Sequence, residues 1–425
     1  MGAMADLPAA SSPSLILTHP TDQERIRTWS QTHPKWGPAL SLHDYLDREA
    51  YLTTVPLAKD GGITHWILTD SSLPPDQRPI LSSCETLRKP ALSCAPAGPD
   101  GGEPVVVDGI AHGLGSVFTA PQFRGMGYAS RMMREVGARL RRHQAIDAAA
   151  TTAHDGIPAA GRRVPLFSVL YSDIGKKFYA RNGWAPFASA HVSFPPATEA
   201  PSQAQAQPSR QNGHTNGGGG TGKCASASTI GYHELAELCA VDEKLLRAAL
   251  RRRAGKGEGG GRGRTCVALL PNLDAILWHL MREDFMTKHI FGRTPVVRGA
   301  VYGKPGRRVW AVWTRGYYGG LEKMEGNTLH VLRFVVEDES DPEEEYLVDG
   351  IRSIVRIAQA EAAEWRSQDV QMWNPTPRLR GLIEKSGLPF EFVDRDSDSI
   401  ASLMWYGEEP TCELDWVINE KFAWC

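Results

Sequence analysis

Six residues, Arg124-Gly125-Met126-Gly127-Tyr128-Ala129, have the types and spacing to hold an anion. A short apolar run, Val117-Phe118-Thr119-Ala120, stops at Pro121, a glycine-rich turn follows, and Ser130-Arg131-Met132-Met133-Arg134-Glu135 reads as the opening turns of a helix. The first N–H groups of a helix lack internal acceptors and sit at its positive end, and glycines let that backbone come close to a phosphate. Gly125 and Gly127 supply the room, and Arg124 adds charge. The turn is not a Walker loop, since no Gly-Lys-Ser/Thr follows. A dinucleotide fingerprint asks for a third glycine where Ser130 stands, and for an acidic residue about 20 positions on.

The elements that must position this turn follow from the patterning. Leu15-Ile16-Leu17-Thr18 is a candidate strand, and Thr21-Asp22-Gln23-Glu24 opens a helix toward Thr32. Ser41 opens a second helix toward Tyr51. Thr64 to Thr69 and Pro79 to Leu87 alternate as strands, and Val105 to Thr119 forms the central strand, in which Gly113 and Gly115 predict a bulge or a close approach by ligand. The helix from Tyr128 to about His143 places Met132, Val136 and Leu140 on one core-facing stripe. Val164 to Tyr171 reads as a buried strand. Ser172-Asp173 then caps a helix from Ile174 to Asn182, which Gly183 stops.

The phosphate turn fits the Arg/Gln-x-x-Gly-x-Gly/Ala signature of acetyl-coenzyme A binding, and the chain resembles the GNAT superfamily of N-acetyltransferases. Gly175 to Trp184 is similar to the family's Ala-x-x-Phe-Tyr-x-x-x-Gly-Phe segment, with Gly175 in place of the alanine and Ser172 where an asparagine is common. The resemblance implies that Val117, Phe118 and Thr119 carry the pantetheine arm, that Arg124, Gly125, Met126, Gly127, Tyr128 and Ala129 hold the phosphates, and that Tyr179 points at the coenzyme thiol. Taken together, His33-Pro34-Lys35-Trp36-Gly37, Ser83-Cys84-Glu85-Thr86, Leu170-Tyr171-Ser172-Asp173-Ile174-Gly175 and the large C-terminal half resemble the fungal L-lysine acetyltransferases of lysine catabolism. Free L-lysine is then the expected acceptor, ahead of polyamines, other amino acids and protein amines.

The implied fold class is α/β (α+β), with an N-terminal GNAT fold, a mixed central sheet flanked by helices, followed by a second, degenerate GNAT-like α/β domain. The expected divisions are a tag remnant and disordered start over 1–14, a catalytic domain over 15–198, a linker over 199–228 rich in Gly, Ser, Gln and Pro, and the second domain over 229–425. In the second half the strand–helix order recurs in pattern only. Ahead of its long helix, 347–365, stand seven carboxylates in the nine residues Glu337 to Glu345, which would repel a coenzyme. Ile383 stands four before Gly387, as Tyr179 stands four before Gly183. Trp313, Tyr317, Tyr318 and Trp373 are available to line a groove. Strand counting leaves the first sheet one strand short, with Leu414 to Trp424 as a candidate to complete it.

At 425 residues, 41% hydrophobic and 23% charged, the chain has length for two or three globular domains. A net charge of −2 gives no reason to expect nucleic acid or an anionic membrane as partner. No apolar run approaches the roughly 20 residues of a membrane span, and a cytoplasmic location is expected. The seven cysteines never take Cys-x-x-Cys spacing, so neither disulfides nor a metal is expected. For acetyl transfer to an amine, a base must take the amine proton, and Glu85 and His112 are the candidates on adjoining strands. Tyr179 would protonate the departing thiolate. No cysteine is placed as a nucleophile in these motifs, which favours direct attack on the thioester.

Overall fold

A computed structural model describes residues 7–98, 102–146, 163–198, 226–255 and 263–424. The first half runs β1 (Leu15–Thr18), α1 (Asp22–Trp36), α2 (Leu42–Leu52), β2 (Ile63–Asp70), β3 (Ser82–Cys94), β4 (Val106–Phe118), α3 (Tyr128–Leu140), β5 (Pro165–Ser172), α4 (Lys177–Arg181), β6 (Ala185–Pro186) and β7 (Ala190–Phe194). The second runs β8 (Ser228–Ile230), α5 (Leu235–Gly255), β9 (Cys266–Leu269), α6 (Leu273–Phe291), β10 (Gly299–Tyr302), β11 (Val309–Tyr317) and β12 (Asn327–Val336). It continues through α7 (Glu344–Glu364), β13 (Asp369–Trp373), α8 (Pro377–Lys385), β14 (Glu391–Asp394), β15 (Ile400–Trp405) and β16 (Asp415–Trp416). The start of α1 has the expected capping box, in which the Thr21 hydroxyl accepts from the Glu24 N–H and the Glu24 carboxylate accepts from the Thr21 N–H.

Two mixed sheets result. The first is ordered β1-β2-β3-β4-β5-β15-β6, with β9 added to β3 and β16 to β9; the second is ordered β14-β7-β13-β12-β11-β10-β8. Each contains one parallel pair joined through a long helix, β4–α3–β5 and β12–α7–β13. In the first sheet β15 lies between β5 and β6; in the second, β7 lies between β13 and β14. The two halves have therefore exchanged one interior strand each, β15 for β7, and the second half also adds β9 and β16 to the flank of the first sheet.

This exchange corrects three expectations. Residues 190–194 belong to the second sheet, so the division at 198 does not separate the sheets. The gap in the first sheet is filled by Ile400–Trp405, while Asp415–Trp416 joins the far flank through β9. Residues 172–176 form a loop rather than a helix start. Gly175 takes φ +74 and its N–H donates to the Ser397 carbonyl (2.9 Å), while Asp173 accepts from the Ser399 N–H (3.2 Å), so the segment following β14 holds this loop open. Residues 199–225 of the expected linker, and 1–6 of the expected start, lie outside the described residues. Residues 7–14, expected to be disordered, pack on α3: Leu7 and Ala10 adjoin its core, and the Tyr128 hydroxyl donates to the Pro8 carbonyl (2.7 Å).

The core of the first sheet lies under α3, where Met132, Met133, Val136 and Leu140 are fully buried against Leu114, Leu170 and Trp184. Helix α6 is fixed against the second sheet by Glu283, whose buried carboxylate takes hydrogen bonds from Arg298 and Arg315, both at 2.7 Å. The last turn is fastened by Lys89, whose ammonium donates to the Ala423 and Trp424 carbonyls at 2.9 and 3.0 Å. These two anchors bring α6 and Trp424 to the mouth of the first sheet. No helix among the described residues is long and apolar enough to cross a membrane.

Candidate active site

Parallel pairing of β4 with β5 runs from Ile110 opposite Pro165 to Leu114 opposite Leu170 and stops, although β4 continues to Phe118. On the other edge Ser83 pairs with Phe118 and Glu85 with Gly115, so β4 carries one extra residue there. The predicted bulge falls just past Gly115, with Ser116 at φ +52. Gly115 to Phe118 therefore present one backbone edge with no strand partner among the described residues, the geometry an extended ligand can pair with.

At the end of that edge is the turn. Gly125 and Gly127 have φ of +79 and +85, a region open to glycine, and Gly127 is the N-cap of α3 with no side-chain cap. A side chain at Gly125 would meet nothing within 4 Å, so the room expected for a phosphate is present. Arg124 is exposed, and its Nε donates to the Thr119 carbonyl (3.1 Å). Met126 is exposed, and Ala129 faces the cavity described below. The Tyr128 side chain is a buried core group, which leaves only its backbone N–H for an anion.

Between these elements lies a cavity of about 450 Å³, lined by Val117, Phe118, Thr119, Arg124, Ala129, Glu85 and Tyr179 among others. Burial raises the Tyr179 phenol well above its ordinary pKa, so it keeps its proton at neutral pH. Glu85 accepts from the Ser116 hydroxyl (2.8 Å), and its other oxygen lies 3.6 Å from His65 Nε2. Burial, reinforced by the charge of Glu49, pushes Glu85 up to about 7 against the opposing pull of the Ser116 bond, Arg48 and Arg282. His65 is pushed down to about 4 by burial and by Arg25 and His19, so it stands neutral beside Glu85.

His112, the other candidate base, is outside this cavity. It is fully buried under the end of α3, with Nε2 3.2 Å from the Gln144 side-chain oxygen and its ring 5.3 Å from that of His143. Burial and His143 push it down to about 3. The alternation of β4 turned it toward the helix, and its assignment as a base is withdrawn. Several lining residues had no sequence signal: Arg48 and Glu49 on α2, Trp278 and Arg282 on α6, and Trp424. Tyr318 lines this cavity as expected of a groove aromatic, whereas Trp313 and Tyr317 are core. A second cavity of about 530 Å³ shares Lys35, Trp36, Asp173, Tyr318 and Trp424 with the first and contains Trp373.

The splayed central strand, the uncapped glycine turn and the paired parallel strands around α3 define a GNAT-type acyltransferase fold. The family model described as the LYC1 GNAT-like C-terminal domain matches residues 191–425, more than half of the chain, and the chain belongs to that family. The match begins at β7, the strand placed in the second sheet. A "Lysine acetyltransferase" of Yarrowia lipolytica is 30% identical over 166 residues, which span 39% of this chain and 39% of that relative. Among solved structures, a probable N-acyltransferase of Enterococcus faecalis V583 is 10% identical and covers 92% of this chain and 72% of its own, with TM-score 0.45. The N-myristoyltransferase of Saccharomyces cerevisiae with bound myristoyl-CoA is 9% identical and covers 96% and 82%, with TM-score 0.48.

Proposed function

We propose that the protein transfers an acetyl group from acetyl-coenzyme A to the side-chain amine of free L-lysine. The observation that carries the transfer is the meeting of Glu85 and Tyr179 on one cavity, beside the unpaired edge of β4 and below the turn at Gly125 and Gly127. The coenzyme supplies an activated thioester. Arg124 and the first N–H groups of α3 would hold its phosphates, and Gly115 to Phe118 would take its arm. Glu85 accepts a proton from the ammonium, freeing the neutral amine to attack, and a carboxylate poised near 7 is suited to that exchange. As the nitrogen–carbon bond forms and the carbon–sulfur bond breaks, Tyr179 delivers a proton to the sulfur and regains one from the nitrogen, which sheds its second proton on becoming an amide, leaving the amide and a free thiol. No cysteine is among the residues lining the cavity, which supports direct attack.

A small acceptor is supported by Trp278, Arg282, Tyr318 and Trp424, which the second half lays across the cavity; a peptide would need an open groove. Lysine itself is supported by the sequence resemblance and by the name of the Yarrowia relative. The test is thiol release from acetyl-coenzyme A over L-lysine, ornithine, polyamines and short peptides. Saturable release with L-lysine and an acetyl mass shift on its side-chain amine is expected, and release with peptides alone would overturn the reading. Tyr179→Phe should lower kcat on the order of 10–100-fold, less than loss of the base, because a thiolate leaves readily.

A further inference from the structure

The second cavity holds a cation that the protein leaves unpaired. Arg395, in the segment between β14 and β15, is 8% exposed, and its Nε and both terminal nitrogens are buried without a hydrogen-bond partner. Among the described residues no carboxylate lies within ion-pair distance of it. Its guanidinium lies 3.9 Å from the centre of the Trp373 ring, a contact that offsets only part of the cost of burying a charge. Three residues lining the same cavity also have a buried ring nitrogen without a partner, His191 Nδ1, His330 Nδ1 and Trp373 Nε1. The Lys421 ammonium adds positive charge, 4.3 Å from the centre of the Trp373 ring. The buried Arg395 guanidinium, without an acceptor, is a fork that an anion with two oxygens would satisfy.

The exposed rim is acidic. Asp394 and Asp398 line it and are exposed, and Asp396 is engaged by Lys176 at 2.6 Å. Positive floor and negative rim together match a zwitterion. The path to the first cavity is short. Tyr171, which lines the first cavity, lies 5.7 Å ring to ring from Trp373, the aromatic that carries Arg395, and Trp36 and Trp424 line both spaces.

We propose that the second cavity binds the head of an α-amino acid, its carboxylate on Arg395 and its α-ammonium at the rim of Asp394 and Asp398, so that a long side chain delivers its terminal amine to Glu85. This rests on the acetyl-transfer reading only for what happens at the far end of the side chain. Arg395 is thus a specificity-determining residue, separating amino acids from diamines of the same length.

Calorimetric titration in the presence of coenzyme A, which cannot react, tests the site apart from catalysis. L-lysine should bind at least ~30-fold more tightly than cadaverine or lysinamide, which lack the carboxylate, since leaving a buried charge unpaired costs 2 kcal/mol or more. Arg395→Met should erase that preference while holding or raising Tm, because it removes an unpaired buried charge. If Arg395→Met fails to fold, Arg395→Lys serves, and should lose most of the preference because a point charge lacks the planar fork. Equal binding of the three ligands by the native protein, or a preference retained in the Arg395 variants, would overturn the proposal. Failure of the acetyl-transfer reading would appear separately, as no thiol release with any amine.

Discussion

The first turn of α3 and the first turn of α7 stand at equivalent places in the two halves, each between the strands of a parallel pair, and they differ in what surrounds the helix N-terminus. At α3 the N-cap is a left-handed glycine with open space before it. At α7 the N-cap is Glu343, and the acidic run ahead of it is bound internally. Arg308 Nε donates to Glu337 (2.6 Å), and Arg307 donates to Asp341 (2.7 Å) and Glu343 (3.2 Å). The N-terminus of α7 is therefore flanked by carboxylates rather than by open glycines. The packing of the second copy is nevertheless kept, with Leu347, Ile351 and Ile354 buried against its sheet and Ile383 buried where the first copy has Tyr179. Both halves keep the apolar stripe that makes the fold, and the second half lines the first half's cavity through Trp278, Arg282, Tyr318 and Trp424.

The largest test of that division is to separate the copies. Residues 1–198 expressed alone lack β15, an interior strand whose Ile400, Ala401 and Leu403 are fully buried, so they should not unfold cooperatively. Co-expression with residues 226–425 should restore a soluble complex that melts in one transition. An isolated first half that melts cooperatively and releases thiol would show that the exchange is dispensable.

The exchange was illegible for a physical reason. A strand such as Ile400–Trp405, apolar on both faces, signals burial but not which sheet buries it. Local features were legible because local physics sets them: the Thr21 capping box, the bulge near Gly115 and the turn of Gly125 and Gly127 each depend on a few adjacent residues. The helix expected from Ile174 starts three residues late because the distant segment at Ser397 captures Gly175. His112 was misplaced since period-2 alternation gives two faces without saying which one meets a cavity, and Glu49 sits on a helix whose partners only folding defines.

Glu85 sharpens the comparison at the level of chemistry, since it lines the cavity beside the helix turn of the first half. Glu85→Gln should lower kcat/KM by about 10²–10⁴-fold. In the native protein kcat/KM should rise with pH through about 7, and this limb should vanish in the variant. Glu49→Gln removes a charge that holds Glu85 up, so the limb should move to lower pH. Stability has the opposite sign. The folded pKa lies above the ordinary carboxylate value, so the native state binds the extra proton between about 4.5 and 7 and stability falls as pH rises through that window. Glu85→Gln should therefore melt higher than the native protein at pH 8.

The smallest effects separate the two turns directly. Arg124 is exposed beside the open glycine turn, so Arg124→Ala should weaken coenzyme A binding by roughly tenfold, about 1.4 kcal/mol, with little change in kcat. Added salt should narrow the gap between variant and native protein, because an exposed charge acting on a phosphate is screened. Arg307→Ala removes the arginine that engages the acidic run before α7, at Asp341 and Glu343, and should leave coenzyme affinity unchanged at every salt concentration. Fluorescence titration with coenzyme A across ionic strengths reads both variants. Equal losses would mean that the acidic run does not exclude the ligand, and that the two helix turns still share one function.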